Sequence, residues 1–365
     1  MDKLLEAEAR HFDVKDIERH REITWSRLAA PFVSKTIYPA GNRNQLLAEI
    51  IERNTPGLAL ACGDMQQEAP LFKLARSSSV DAIDISKESL KKAKAYCKAL
   101  GLNVKFSVSD VNKIKLPRKH YGLVVIAHSF HHFEEVDRIA EQIADSMLPN
   151  GVFILVDYIG PRYLQYTNRQ LKYANEFFKE LPPSLRIDHS GKVTDEVQPP
   201  LRWGLSVNEA IQSPKILPAL QSNFCCIKGL LYGGLMYPVL GRIAVSFNPK
   251  NKKHAILLGK LWKLERRLIN NLEIEPNFCE LILVRKNSKL CRKYSGGWFK
   301  YRAPELDNRY DWLVNTSSKE IWRLIEKISE YKAAVKKRDD IIVQYAHRKS
   351  FVTRAANRLG AVLKK

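Results

Sequence analysis

The stretch that decides the fold occupies positions 57–75 and reads GLALACGDMQQEAPLFKLA. The apolar run Leu58–Ala61 is typical of a buried strand, a turn at Cys62, Gly63 and Asp64 follows it, and the remainder has helical composition. A glycine in such a turn lets a ligand approach the backbone closely, and the N-terminus of the next helix favours a carboxylate. The stretch therefore predicts the nucleotide-binding turn of an open α/β sheet.

Short apolar runs recur along the chain with helical segments between them. The runs that follow the first are Val80–Ile85, Val104–Val108, Leu123–Ala127, Val152–Asp157, Phe224–Leu231 and Glu280–Arg285. One of the helical segments, SKESLKKAKAYCKALG, has Ser86 as its predicted N-cap and stops at Gly101. This alternation predicts an α/β fold of βαβ units, in which helices cover both faces of a parallel sheet.

Acidic residues stand at the ends of the second and third predicted strands. Asp84 lies some twenty residues after the glycine turn, where a carboxylate accepts hydrogen bonds from ribose hydroxyls. Asp110 precedes Val111, so its carboxylate can accept the exocyclic amine of adenine while the valine packs on the ring. Each aspartate alone is explained as well by a helix cap or a loop. Together with Gly63 they predict one nucleotide site.

These residues resemble class I S-adenosylmethionine-dependent methyltransferases, closely over 35–160 and loosely over 220–286. The resemblance implies a Rossmann-like seven-stranded methyltransferase sheet, whose last two strands pair antiparallel, and S-adenosylmethionine as cofactor. It also implies the cofactor-binding residues, which are Ala61, Cys62, Gly63, Asp64, Asp84, Ile85, Asp110, Val111 and His128. The first motif of the family usually reads acidic-x-Gly-x-Gly-x-Gly, where this chain has Ala59, Ala61, Gly63 and Met65. One glycine remains, so a catalytically inactive methyltransferase-like scaffold stays open as an alternative.

Histidines follow the fourth strand in YGLVVIAHSFHHFEEVDR, and Asp157 ends the fifth. Methyl transfer needs a positioned acceptor and the exclusion of water, and a hydroxyl acceptor also needs a base. We predict His132 as that base, with His131 beside it and Asp157 as its helper or as a substrate ligand. The alternative is that the two histidines only cap and pack the strand end. No metal site is expected, because two adjacent histidines cannot easily share one ion.

The segment YIGPRYLQYTNRQLKYANEFFKELPPSLR, residues 158–186, is rich in Tyr, Asn, Gln and Arg. Such side chains suit sugar recognition by stacking and by hydrogen bonds to hydroxyls. Together with a later Tyr-Gly-Gly at 232–234, the segment resembles methyltransferases of bacterial surface-glycan biosynthesis. The candidate substrate-binding residues are Tyr158, Arg162, Tyr166 and Tyr232. The predicted function is O-methylation of a sugar or glycan intermediate, with an RNA or small-molecule methyltransferase as the alternative enzyme.

The chain divides into three predicted parts. These are an N-terminal helical segment at 1–45, a methyltransferase domain at 46–286 and a basic helical tail at 287–365. Helical insertions at 160–224 and 235–276 are expected to form a substrate cap. Within the tail, apolar residues of 319–345 recur at heptad spacing, which predicts either a coiled coil that forms a homo-oligomer or one helix packed on the domain. Residues 346–365 form an amphipathic pattern.

The charge of the chain points to an anionic partner. Its net charge is +21, and residues 287–365 hold 19 Lys and Arg against 8 Asp and Glu. Such a tail favours an anionic membrane surface and, less strongly, nucleic acid. The N-terminus has no secretory pattern, and the six cysteines form no CxxC pair. We therefore expect reduced thiols and a cytoplasmic protein, with peripheral attachment at the inner membrane face as an option.

Overall fold

A seven-stranded sheet forms the centre of the computed structural model, which describes residues 23–197 and 209–304. The predicted coiled coil at 319–345 and amphipathic helix at 346–365 lie outside the described residues. The strands are β1 (Gly57–Leu60), β2 (Val80–Asp84), β3 (Val104–Val108), β4 (Tyr121–Ala127), β5 (Met147–Tyr158), β6 (Phe224–Tyr232) and β7 (Phe278–Arg285).

The order of the strands across the sheet is β3-β2-β1-β4-β5-β7-β6. The neighbours among β1 to β5 pair in parallel, whereas β7 is antiparallel to both β5 and β6. The predicted Rossmann-like seven-stranded methyltransferase sheet is therefore confirmed. In such a sheet the carboxyl ends of β1, β2 and β4 meet where the strand order reverses, and ligands bind at that edge.

Ten helices join and cover these strands in the described part of the chain. They are α1 (Trp25–Ile37), α2 (Arg43–Ile50), α3 (Ala69–Ala75), α4 (Lys87–Leu100), α5 (Val136–Ser146), α6 (Asn168–Lys179), α7 (Ser213–Asn223), α8 (Met236–Leu240), α9 (Lys252–Asn270) and α10 (Lys289–Lys293). None of these ten is long and apolar enough to cross a bilayer. The predicted caps of α4 are confirmed, since Ser86 Oγ accepts the Ser89 N–H at 3.0 Å and Gly101 has a φ of 71°.

Two hydrophobic cores lie on opposite faces of the sheet. Leu58 and Leu60 of β1 belong to one, which also contains the apolar side chains of α5 and α7. Ala59, between them, belongs to the other core, together with side chains of α1 to α4 and of α9. Successive side chains of a strand point to opposite faces, so a strand with helices on both sides is apolar throughout. This is why β1 and β4 read as continuous apolar runs.

Two of the six cysteines differ from the expectation of reduced thiols, whereas Cys62, Cys97, Cys226 and Cys279 are free. Cys225 of β6 and Cys291 of α10 form a disulfide, with their Cα atoms 6.0 Å apart. The two residues are separated by 66 positions in the sequence. They meet because α10 packs against β6, and cysteine spacing alone carries no information on that contact.

Candidate cofactor and acceptor sites

The turn after β1 has an unusual backbone that Asp84 holds in place. Ala61, Gly63 and Met65 all have positive φ angles, of 48°, 52° and 59°. The Oδ2 atom of Asp84 accepts the N–H of Gly63 at 2.8 Å, and Oδ1 accepts the N–H of Ser86 at the same distance. A carboxylate has about four acceptor sites, so Asp84 can also accept ribose hydroxyls. The end of β2 thus fixes the shape of the β1 turn.

The altered first motif leaves the space in front of this turn open. A Cβ atom added at Gly63 would meet no atom within 4 Å. The side chains of Ala59 and Met65, which stand where the family has other residues, are fully buried in the core. The sulfur atom of Met65 contacts that of Cys97 in α4 at a distance of 3.7 Å. Ala59 and Met65 therefore fill the protein interior, whereas Ala61 is half-buried in the turn itself.

The remaining predicted cofactor residues lie at the carboxyl ends of β2, β3 and β4. Asp110 follows β3, where its Oδ1 accepts the N–H of Asn112 at 2.9 Å, and the next residue, Val111, is buried. Ile85 is half-buried directly after β2. His128 follows β4, is exposed and has a φ of 57°, and its N–H donates to the Val156 carbonyl at 2.7 Å. The structure brings these residues to the edge that the sequence predicted.

Glu68 lies buried at the start of α3, close behind the turn. Burial raises its pKa from 4.5 to about 8, and the charges of Asp64 and Asp84 act in the same direction against the hydrogen bonds of backbone amides. The sequence analysis did not identify this residue. A glutamate that directly precedes an apolar helix was the available signal.

We expect replacement of Glu68 by Gln to remove a pH-dependent loss of stability. Between pH 4.5 and 8 the folded protein keeps the Glu68 proton that the unfolded chain releases, so this group stabilises the fold at low pH only. In the wild type, raising the pH from 5 to 9 ionises the buried Glu68 and should lower the free energy of unfolding by on the order of 4 kcal/mol. Urea unfolding at the two pH values measures the loss. The E68Q variant should lack it, and the exposed E88Q variant should retain it.

A buried histidine lies between two carboxylates behind β4. His131 is the middle residue of the short 3₁₀ helix Phe130–His132, and its Nδ1 is 2.5 Å from Asp157 Oδ1. Its Nε2 is 3.2 Å from Glu209 Oε1. Burial alone would lower the pKa of His131, but the charges and hydrogen bonds of the two carboxylates outweigh it and raise the pKa to about 10. His131 therefore carries a proton at neutral pH and cannot accept one from a substrate.

Asp157 forms hydrogen bonds both to this histidine and to backbone N–H groups near it. Its Oδ2 accepts the N–H groups of Ser129 and Phe130, at 3.0 and 2.6 Å. Although burial opposes ionisation, His131 holds the pKa of Asp157 below its ordinary value. The expected pairing of Asp157 with His132 differs from this geometry. His132 is half-buried and packs beside His131, with 4.2 Å between the ring centroids.

The four candidate substrate-binding residues lie in different surroundings. Tyr158 is fully buried and its hydroxyl donates to the Pro161 carbonyl at 2.7 Å, while Tyr166 is buried with its ring edge-on to Tyr237. Arg162 is half-buried, and its Nε has no hydrogen-bond partner among the described residues. Tyr232 alone of the four lines the cavity described next. Tyr158 and Tyr166 thus pack the interior, where an aromatic ring is apolar enough to be buried.

A cavity of about 320 Å³ lies under α1 at the ends of β4 and β5. The rings of Trp25, Tyr38, Tyr232 and Phe278 line it, and the ring centroid of Trp25 is 4.6 Å from that of Phe278 and 6.4 Å from that of Tyr232. His128, from the cofactor edge, also lines it. The cavity therefore adjoins the predicted cofactor edge at His128 and has walls that suit a ring-shaped ligand.

Glu280 of β7 supplies a carboxylate to this cavity. Arg43 Nε lies 3.8 Å from its Oε1, and the Tyr38 hydroxyl donates to the same oxygen at 3.5 Å. Burial raises the pKa of Glu280 above its ordinary value, against the lowering effect of Arg43 and Tyr38. Burial and the charge of Glu280 also raise the pKa of Tyr38 to about 12. Sequence reasoning missed all three residues. The one available signal was a glutamate inside the apolar run FCELILVR.

Comparisons with known proteins agree with this fold. Residues 58–155 match the family model described as a methyltransferase domain. An uncharacterized methyltransferase, YcgJ of Bacillus subtilis (strain 168), is 25% identical over 80 residues, which are 22% of this chain and 32% of that protein. The chain thus matches about a third of the length of this curated relative. The family match supports a class I S-adenosylmethionine-dependent methyltransferase and indicates S-adenosylmethionine as the cofactor.

The solved structures that the chain matches include two S-adenosylmethionine-dependent methyltransferases. One, from Aquifex aeolicus, is 24% identical with a TM-score of 0.28, and the match covers 35% of this chain and 72% of that one. The other, from Mesorhizobium loti, is 16% identical with a TM-score of 0.37, and the match covers 66% of this chain and 96% of that one.

Proposed function

We propose that this chain is an O-methyltransferase that transfers the methyl group of S-adenosylmethionine to a hydroxyl of a sugar or glycan intermediate. One observation carries the proposal: a cavity with aromatic walls and a half-buried carboxylate, Glu280, adjoins the predicted cofactor edge at His128. Two of the three altered positions of the first motif, Ala59 and Met65, are buried away from the turn surface, and the space in front of Gly63 is open.

The proposed reaction uses two neighbouring sites, one for the cofactor and one for the acceptor. In this proposal Asp84, whose carboxylate accepts the N–H groups of Gly63 and Ser86, also accepts the ribose hydroxyls. Asp110, with Val111 beside it, accepts the adenine amine. The cofactor supplies a methyl group already activated on a sulfonium. In an in-line displacement the acceptor oxygen forms a bond to the methyl carbon while the carbon–sulfur bond breaks, and the hydroxyl proton must leave.

We assign the removal of that proton to Glu280 in place of His132. Glu280 lines the acceptor cavity, and its raised pKa makes it a stronger base than an exposed carboxylate. Arg43 and Tyr38 contact the same carboxylate oxygen and orient it. His132 instead packs beside the protonated His131.

The lining of the cavity supports a sugar as the acceptor. Trp25, Tyr232 and Phe278 offer aromatic faces, on which a pyranose ring can stack. Arg43, Tyr38 and Glu280 offer donors and acceptors for hydroxyl groups. A volume of about 320 Å³ is at the small end of the range for ligand pockets and suits one sugar ring better than an RNA strand.

Two measurements on the full chain test the proposal. Calorimetry with S-adenosylmethionine should show binding, and its absence would leave the inactive scaffold. Transfer of radiolabelled methyl groups should then be measured to nucleotide sugars, to lipid-linked oligosaccharides and to RNA. We expect label in one of the sugar classes, resistant to mild base as an ether is. Label in RNA alone would contradict the proposal.

We further propose that residues 346–365, which lie outside the described residues, attach the enzyme to anionic membranes. Phe351 and Leu359 belong to an apolar stripe, and the segment carries basic but no acidic residues. Each basic residue near the surface adds about 1 kcal/mol at low salt. We expect the full chain to sediment with phosphatidylglycerol vesicles and the F351S/L359S double variant to stay in the supernatant. The polar N357S variant is the matched control. Equal sedimentation of wild type and double variant would exclude this anchor.

A further inference from the structure

Three potential metal ligands lie close together beyond the carboxyl end of β4. The proposed reaction does not use this part of the protein. His131, His132 and Glu209 each offer one ligand atom, and these atoms all lie within 4.8 Å of one another. The two histidines end the 3₁₀ helix after β4, whereas Glu209 comes from the chain just before α7. His131 and Glu209 are buried and His132 is half-buried. Two nitrogen ligands and one carboxylate are therefore gathered from distant parts of the sequence.

The local backbone allows the adjacent His131 and His132 to face one ion. Adjacent residues of a strand point to opposite faces, but the 3₁₀ turn places the rings of His131 and His132 side by side. Their centroids are 4.2 Å apart and their planes are inclined by 39°. Both rings can therefore direct a nitrogen towards the carboxylate of Glu209.

A second carboxylate orients one of the ligands. Asp157 Oδ1 contacts Nδ1 of His131, which leaves Nε2 facing Glu209. Asp157 is itself fixed by the N–H groups of Ser129, Phe130 and Tyr158. Histidines that bind metals almost always donate their other N–H to a carboxylate, a carbonyl or a water, which fixes the ring and makes the ligating nitrogen more basic. Asp157 stands in that position.

We propose that this cluster binds one Zn²⁺ ion through Nε2 of His131, a ring nitrogen of His132 and the carboxylate of Glu209, and that Nε2 of His131 releases its proton to solvent as the ion binds. Two imidazoles and one carboxylate suit zinc, whereas magnesium and calcium prefer oxygen ligands alone. Three protein ligands leave a fourth position open, as in catalytic zinc sites. The ion would join Glu209 to the loop that also carries His128, a residue of the acceptor cavity. The binding of zinc does not depend on the proposed function.

Cobalt binding to the full-length protein tests the site without an activity measurement. Protein freed of metal by a chelator is titrated with Co²⁺ and followed by visible absorption, and Zn²⁺ is then added in competition. We expect one equivalent of Co²⁺ with the intense bands of a four-coordinate site, and its displacement by one equivalent of Zn²⁺. The E209Q and H132A variants should bind at least about tenfold more weakly. The H120A variant, which removes an exposed histidine before β4, should bind as wild type does.

The outcomes separate this site from the proposed function. Thermal unfolding of each metal-free variant establishes that it is folded, and either E209Q or H132A is sufficient for the comparison. No stoichiometric binding by wild type, or equal affinity in a folded E209Q or H132A variant, would overturn the zinc site. Calorimetry of the metal-free protein with S-adenosylmethionine reports on the methyltransferase assignment independently.

Discussion

Replacement of Asp84 by Ala should weaken the binding of S-adenosylmethionine by about 100-fold, or roughly 2.7 kcal/mol. The ribose loses a charged acceptor, and hydrogen bonds to charged groups contribute about 1.5–3 kcal/mol. The turn also loses its anchor, because Asp84 holds the N–H groups of both Gly63 and Ser86. Calorimetry on the folded full-length variant measures the effect. The D84N variant should fare little better, since its amide group presents a donor to one of these N–H groups.

Asp81 provides the matched control for this experiment. It lies on the same strand, three residues earlier, and its Oδ2 accepts the hydroxyl of Tyr121 at 2.7 Å. The D81A variant loses a carboxylate of β2 that does not contact the cofactor turn, so it should bind S-adenosylmethionine as wild type does. If folded D84A also binds like wild type, Asp84 does not belong to the cofactor site.

Replacement of Glu280 by Gln should lower turnover by about 10²–10⁴-fold, the range for loss of a general base, while cofactor affinity stays within a few-fold. Glutamine has nearly the same shape and retains an oxygen for Tyr38 and Arg43, so the fold should persist. A base must be deprotonated to act. Turnover of wild type should therefore rise with pH through the pKa of Glu280, which burial places above 4.5. The E280Q variant should lose this rise.

Two further variants decide whether Glu280 acts chemically or only shapes the cavity. E280D retains a carboxylate and should recover part of the turnover together with the rise with pH, which a structural role would not require. E88Q removes an exposed carboxylate of α4 and should leave turnover unchanged. Turnover of folded E280Q within a few-fold of wild type would remove Glu280 as the base and return His132 to consideration.

The sequence by itself determined the sheet and the cofactor edge. Apolar runs without polar alternation, such as Leu123–Ala127, predict strands that are buried on both faces, and the parallel order follows from the helices between them. Once the strands are parallel, their carboxyl ends meet at one edge. The sequence alone therefore predicts that Gly63, Asp84 and Asp110 lie at the same edge of the sheet. The capping residues Ser86 and Gly101 also predicted both ends of α4, because a helix cap depends only on residues that are neighbours in the sequence.

Tertiary structure alone decided the contacts between distant segments. Tyr38 and Glu280 form a hydrogen bond although they are 242 residues apart in the sequence. Glu209, in the segment just before α7, lies beside His131. Cys225 pairs with Cys291 because α10 packs against β6. Even the choice of His131 over His132 as the partner of Asp157 depends on the 3₁₀ turn that sets the direction of each ring. Side-chain chemistry and periodicity are local properties of a sequence. The partner of a buried charge is set by how helices and strands pack, and packing follows from the shape of the whole core.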